Sequence, residues 1–197
     1  MRGLTVGTLA VVIWAACATS ARADGFLYPF IGVNFGGDAQ GTFNSNVRDR
    51  NHAAYGFSIG GMGGGVFGVE FEVAYSPRFY GHGVLIGDNS VLTVMPAFIL
   101  GIPIGGQRGV GFRPYGTAGL GMTRRQLTLA SVEFDRNDLA YSFGGGAIFY
   151  FADHVGIRGD YKYFRNVEVN EFSLGNIDLH EGTFDFSRTT FGLVFRF

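Results

Sequence analysis

Lysine is almost missing from this 197-residue chain, Lys162 being the only one. There is also one cysteine, one tryptophan and five prolines, and the formal net charge is −1. Each shortage excludes something. Phosphate-backbone binding needs a clustered basic surface, so nucleic acid is set aside as a partner. A single cysteine cannot form an intrachain disulfide, so stability must come from closure and packing. Beyond residue 23 no stretch of about 18 apolar residues runs uninterrupted, so no spanning helix is encoded there. No CxxC, HExxH or GxSxG motif occurs, and no cofactor is called for. Gly63-Gly-Gly65-Val-Phe-Gly68 matches GxGxxG on paper, but it leads into a strand rather than a helix and lacks the geometry that cradles phosphate.

What the chain does have is 33 glycines, 21 phenylalanines and 16% aromatic residues. That composition suits many strands with tight turns and bulky outward side chains. The length points to one domain with a processed end. Arg2 supplies a positive n-region, Leu4 to Ala18 an apolar h-region, and Ala21-Arg-Ala23 a small-residue cleavage site. The expected organisation is therefore a signal peptide over 1–23 and a mature domain over 24–197, cut between Ala23 and Asp24. About 15 apolar residues are too few for an anchoring helix. Acylation at Cys17 is the lesser alternative, because Trp14 stands where such cleavage boxes prefer Leu.

Alternation then takes over. Eight strands are predicted: Phe26 to Gly37, Ala53 to Gly61, Val66 to Ser76, Ser90 to Ile104, Phe112 to Arg125, Leu139 to Phe151, Val155 to Phe164 and Arg188 to Phe197. Their connections alternate in length. Asp38 to His52, Pro77 to Asn89, Gln126 to Asp138 and Arg165 to Ser187 read as long loops, and the other three as tight turns. An even number of strands, long and short connections in alternation, and aromatic-rich faces together predict an all-β fold, an eight-stranded antiparallel up-and-down transmembrane β-barrel.

The charges choose the wet face. Val155, Ile157, Gly159, Tyr161 and Tyr163 oppose Arg158, Asp160 and Lys162. Val69, Phe71, Val73 and Tyr75 oppose Glu70 and Glu72. An Arg or Lys facing lipid at mid-depth costs roughly 2–4 kcal/mol, so the charged face is expected to point inward. Glu70, Glu72, Arg158, Asp160 and Lys162 then form an interior polar cluster, with Arg113 nearer the turns. The outward aromatics near strand ends, Tyr75 and Tyr163 on one side and Phe149, Phe151 and Phe197 on the other, mark interfacial girdles. Pro96 lies mid-strand, where a closed barrel has no harmless edge, and predicts a bulge or a pairing slip. Pro29 is expected near a turn-side end.

Three stretches resemble a known family: Phe112-Arg-Pro-Tyr-Gly-Thr-Ala-Gly-Leu-Gly121, Tyr141-Ser-Phe-Gly-Gly-Gly-Ala-Ile-Phe-Tyr150 and Val155-Gly-Ile-Arg-Gly-Asp-Tyr-Lys-Tyr163. They are similar to the small outer-membrane β-barrels that include OmpA-type transmembrane domains and Omp25- and opacity-like surface proteins. The resemblance implies export to a Gram-negative outer membrane, contact with its lipid and lipopolysaccharide, and insertion by the barrel-assembly machinery. Such machinery reads a terminal strand with outward aromatics, for which Phe191, Phe195 and Phe197 are the candidates. No peptidoglycan-binding domain is expected after Phe197. The expected role is structural or surface-interacting, through external loops that meet a host or surface ligand, with a lipid A-modifying enzyme or a small pore as the alternatives.

Some barrels of this size modify lipid A, so histidines near a strand rim are weighed as catalysts. His82 lies near Asp88 and Ser90, and His180 near Asp178, Glu181 and Ser187. Loop positions do not fix the proton relay that such chemistry requires, and catalysis is not expected. His52 and His154 read as ordinary loop and turn residues. The connection from Arg165 carries Glu168, Glu171, Asp178, Glu181 and Asp185, an acidic face suited to solvent or to cations. Val167-Glu-Val169 suggests that the last two strands continue as a ribbon.

Overall fold

The computed structural model describes residues 23–36, 52–77, 79, 86–105, 109–129, 132–167 and 184–197. The strands are β1 (Ala23–Gly36), β2 (His52–Gly63), β3 (Phe67–Pro77), β4 (Ile86–Gly101), β5 (Ile104–Gly105), β6 (Gly111–Leu129), β7 (Val132–Tyr150), β8 (Val155–Asn166) and β9 (Asp185–Arg196). All pairings are antiparallel. Two contacts turn this sheet into a ring: β1 pairs with β9, and β4 pairs with β6 across the two-residue β5. Leaving β5 aside as a short appendage of β6, eight strands close a barrel. Closure gives every strand a neighbour on both sides and leaves no open sheet edge, the condition for a β-structure to stand in lipid.

The tight connection between β2 and β3 follows from glycine. Gly64 and Gly65 have φ of 60° and 74°, and the Val66 N–H donates to the Gly63 carbonyl at 3.1 Å. Two consecutive positive φ values make the two-residue turn whose twist matches a hairpin, and only glycine adopts them without strain.

Side chains alternate strictly. Along β3 the residues Glu70, Glu72, Ala74 and Ser76 are buried, while Phe67, Val69, Phe71 and Tyr75 face out. On β7, Ser142, Ile148 and Tyr150 are buried and Phe143 and Phe149 exposed. Phe98 is 75% exposed, Phe67 72% and Ile31 71%. An apolar surface of that extent has no place in water, and in a bilayer it is the solvated surface.

Three expectations are corrected. Gln126 to Asp138 is not a loop, because β6 and β7 continue as a paired ribbon up to Leu129 opposite Val132. Leu127, Leu129, Val132 and Phe134 do alternate with polar residues, but Glu133, Asp135, Arg136, Asn137 and Asp138 give the stretch the composition of a loop. The ribbon expected from Val167 onward falls at residues 168–183, outside the described residues, and Val167 itself donates to the Leu139 carbonyl of β7. At Pro96 there is neither bulge nor slip: β4 and β6 keep one register on both sides and only the pairs at Met95 and Pro96 are missing. A one-residue slip would turn every inward charge toward lipid, so one absent bond costs less than re-registration. The irregularity in that ladder lies instead between Ile86 and Asn89. Pro29 sits mid-strand opposite Phe57, not near an end.

Candidate functional site

The barrel interior holds the charges. β3 and β8 stand opposite each other in the ring, so their inward residues project toward one another. Arg158 donates from Nη2 to Glu70 at 2.8 Å, and Lys162 Nζ reaches Glu70 at 2.6 Å and Glu72 at 2.7 Å. Asp160 lies 3.1 Å from the Arg158 Nε on its own strand. β9 adds Arg188, whose Nη1 lies 3.2 Å from Glu72 and whose Nε donates to Asn34 at 2.8 Å. Three carboxylates thus meet three cations, all with side chains no more than 5% exposed. That balance is what a narrow interior requires, since a buried charge without a partner is costly.

Hydroxyls complete the network. Tyr115 accepts from Arg158 Nε at 2.7 Å, Thr190 donates to Asp160 at 3.1 Å, and Tyr28 donates to the Arg158 carbonyl at 3.2 Å. Arg158 Nη1 and Arg188 Nη2 have no hydrogen-bond acceptor among the described residues. Aromatic faces surround them instead: the Arg158 guanidinium lies 4.5 Å from the Tyr28 ring centre, and that of Arg188 lies 4.8 Å from Phe164. Each ring's negative face offers a desolvated cation an electrostatic partner.

Apolar layers close the ionic belt above and below. Toward the tight turns, Phe26, Met62, Ile99, Ile148, Tyr150 and Val194 pack together. Toward the long connections, Phe79, Phe164, Phe184 and Phe186 do the same, Phe164 stacking on Phe186 at 4.8 Å.

Arg113 is buried but belongs to neither group of ion pairs. It lies by the turns, 3.8 Å from the Met62 sulfur and 5.6 Å from the Tyr150 ring centre, where Arg196 flanks the same ring at 4.4 Å. Of the terminal aromatics, Phe191, Phe195 and Phe197 all face outward on or just beyond β9. Ala23 and Asp24 begin β1 opposite Gly63 and Met62, and residues 1–22, over which a signal peptide is expected, lie outside the described residues.

His82 and His180 also lie outside the described residues, as do Glu168, Glu171, Asp178 and Glu181. Ser90 donates to Gln126 at 3.3 Å, Ser187 accepts from Tyr161 at 2.9 Å, and Asp185 accepts from Tyr163 at 3.0 Å. His52 stacks on Phe79 at 5.5 Å, and His154 Nδ1 lies 3.0 Å from the Arg196 carbonyl oxygen. The residues that sequence reasoning left out of the cluster are Arg188, Asn34, Tyr28, Tyr115 and Thr190. Arg188 and Thr190 were recoverable, since they share the polar face of the last strand with Arg196.

A closed, eight-stranded ring with an apolar outside and a charged inside is the construction of an outer-membrane protein. The outer membrane protein beta-barrel domain family matches residues 8–197. The chain belongs to this family. Among solved structures, this outer-membrane barrel resembles the N-terminal β-barrel domain of Pseudomonas aeruginosa OprF, at 18% identity and a TM-score of 0.55. That match covers 89% of this chain and 100% of OprF's domain. It resembles Neisserial surface protein A at 11% identity and a TM-score of 0.59, covering 89% of this chain and 97% of that one. Ail, the attachment invasion locus protein of Yersinia pestis, matches at 15% identity and a TM-score of 0.54, again over 89% and 97%. At these identities the likeness is one of fold. Searched by sequence, curated proteins give no match. The outer-membrane barrel therefore places Glu70, Glu72, Arg158, Asp160, Lys162 and Arg188 in a lumen and the phenylalanines of its outer face, such as Phe67, Phe71, Phe98 and Phe191, against lipid.

Proposed function

We propose that this outer-membrane barrel is a closed, non-conducting scaffold that anchors and presents its long connections at the cell surface. One observation carries the reading: the lumen is occupied by a charge-balanced network between two aromatic layers. An eight-stranded ring leaves an interior only wide enough for side chains, and here long side chains span it. What remains to act is the loop side. Ail has been solved in complex with the heparin analogue sucrose octasulfate. Here the longest connection is acidic, with Glu168, Glu171, Asp178 and Glu181, so a basic host ligand, or lipopolysaccharide bridged by divalent cations, suits it better than a polyanion. Lipid modification and a small pore are the rival classes.

Planar-bilayer recordings of the purified protein are expected to show little or only sporadic conductance. A steady, large conductance would show that the network does not block the lumen and that the barrel is a pore. Lipid A from cells with and without the protein should give the same mass spectrum, and any acyl difference would overturn the scaffold reading in favour of an enzyme.

The short turns belong on the periplasmic side of such barrels. A tag inserted between Arg165 and Ser187 should therefore react with a membrane-impermeant label on intact cells. Labelling only after permeabilisation would reverse the topology.

A further inference from the structure

Two prolines divide the ring. The pair Gly25–Phe197 exchanges both backbone hydrogen bonds, at 3.0 and 2.9 Å. Counting in steps of two along that ladder puts Pro29 opposite Leu193 at another doubly bonded position. Proline has no N–H, and the β1–β9 ladder lacks the pairs at Tyr28 and Pro29 while keeping its register. The β4–β6 ladder does the same at Met95 and Pro96. The ladders β1–β2, β2–β3, β3–β4, β6–β7, β7–β8 and β8–β9 run without a break. In the ring order β1, β2, β3, β4, β6, β7, β8, β9, the two interrupted seams are diametrically opposite. They cut the barrel into two four-stranded halves, β1 to β4 and β6 to β9.

The ion pairs fall on this division. Glu70 and Glu72 belong to the first half, and Arg158, Asp160, Lys162 and Arg188 to the second. All four contacts from the two glutamates to Arg158, Lys162 and Arg188 therefore cross between halves. Within the belt the first half carries two negative charges, and the second carries three positive and one negative. The excess on one side equals the deficit on the other. The contacts of Arg188 with Asn34 and Thr93, and of Tyr28 with Thr190, cross in the same way.

We infer that the barrel is built as two half-barrels meeting along two proline-weakened seams, and that the lumenal ion network is the clasp holding them together across the interior. The network does more than fill space. It replaces, through the lumen, cohesion that the wall lacks at Pro29 and Pro96, so breaking it loosens the seams before the halves.

Amide hydrogen exchange on the full-length barrel in lipid nanodiscs tests this. In the double variant Glu70→Gln, Glu72→Gln, amides of the β1–β9 and β4–β6 ladders are expected to exchange roughly tenfold faster, while β2–β3 and β7–β8 stay within about twofold. An equal rise in every ladder, or a rise confined to β3 and β8 around the substituted sites, would overturn the clasp. A second variant, Pro29→Ala with Pro96→Ala, restores both missing donors and decides the question should the first fail to fold. It is expected to slow seam exchange severalfold and to raise the unfolding midpoint. Unchanged exchange at both seams would show that the prolines do not weaken them.

Discussion

Arg158→Ala should lower the stability of the barrel by about 3–5 kcal/mol, the cost of removing one partner from a buried pair and stranding the other. Arg158 is fully buried and holds Glu70 from Nη2 and Tyr115 from Nε, while Tyr28 bonds its backbone carbonyl. The substitution leaves the carboxylates of Glu70 and Asp160 without their shared guanidinium in a lumen sealed at both ends. It also removes the cation from between the Tyr28 and Tyr115 rings. Glu70→Ala should cost a similar amount for the mirror reason, leaving Arg158 and Lys162 to share fewer carboxylate oxygens. The heat-modifiability midpoint on unboiled gels, or a thermal melt in detergent, reads this directly. A midpoint unchanged from wild type in both variants would mean that the network is not a cohesive element.

Removing Phe197 is expected to impair insertion while synthesis and export continue. Phe197 and Gly25 exchange two backbone hydrogen bonds at the point where the chain's last residues meet its first strand. Each such bond contributes roughly 1 kcal/mol, and these two sit at the turn-side end of the seam that Pro29 has already deprived of a donor. The ring itself lies against the Gly25 backbone: a Cβ there would stand 2.6 Å from it. The neighbouring Arg196 is gripped separately, its N–H donating to the His154 carbonyl at 2.8 Å and its Nε to that of Asp153 at 2.7 Å. Truncation should thus free the closing corner without unravelling the whole of β9. Folded, heat-modifiable protein at wild-type levels after the deletion would refute the expectation.

The architecture was legible because a barrel in lipid imposes the same rule on every strand, one residue in and the next out. In Val155 to Tyr163 that rule alone sorts five apolar or small residues from three charges, and the structure buries Arg158, Asp160 and Lys162. The depth match between Glu70, Glu72 and the Arg158 to Lys162 segment was also readable, by counting up from tight turns on both sides. The inward face of Arg188 was readable too, but its bond to Asn34 was not, because it depends on β9 meeting β1 and so bringing Asn34 within 2.8 Å. Pairings between the chain's two ends leave no trace in local periodicity. The ribbon of β6 and β7 was missed for a different reason, since the polar residues from Glu133 to Asp138 outweighed the alternation of Leu127, Leu129, Val132 and Phe134. The seam gaps needed the register of two ladders, although each proline was visible from the start.

The division of charge between hairpins also bears on the order of events in time. The β2–β3 hairpin carries Glu70 and Glu72 on the face that will become the lumen, and the β8–β9 hairpin carries Arg158, Lys162 and Arg188 against a single Asp160. Either one entering the bilayer alone would bring bare charges into hydrocarbon, at roughly 2–4 kcal/mol for each Arg or Lys near the midplane and less for each carboxylate. Their neutralisation requires the hairpin from the other end of the chain. A hairpin inserted by itself therefore carries uncompensated charge, and that cost is relieved only when the opposite wall is in place.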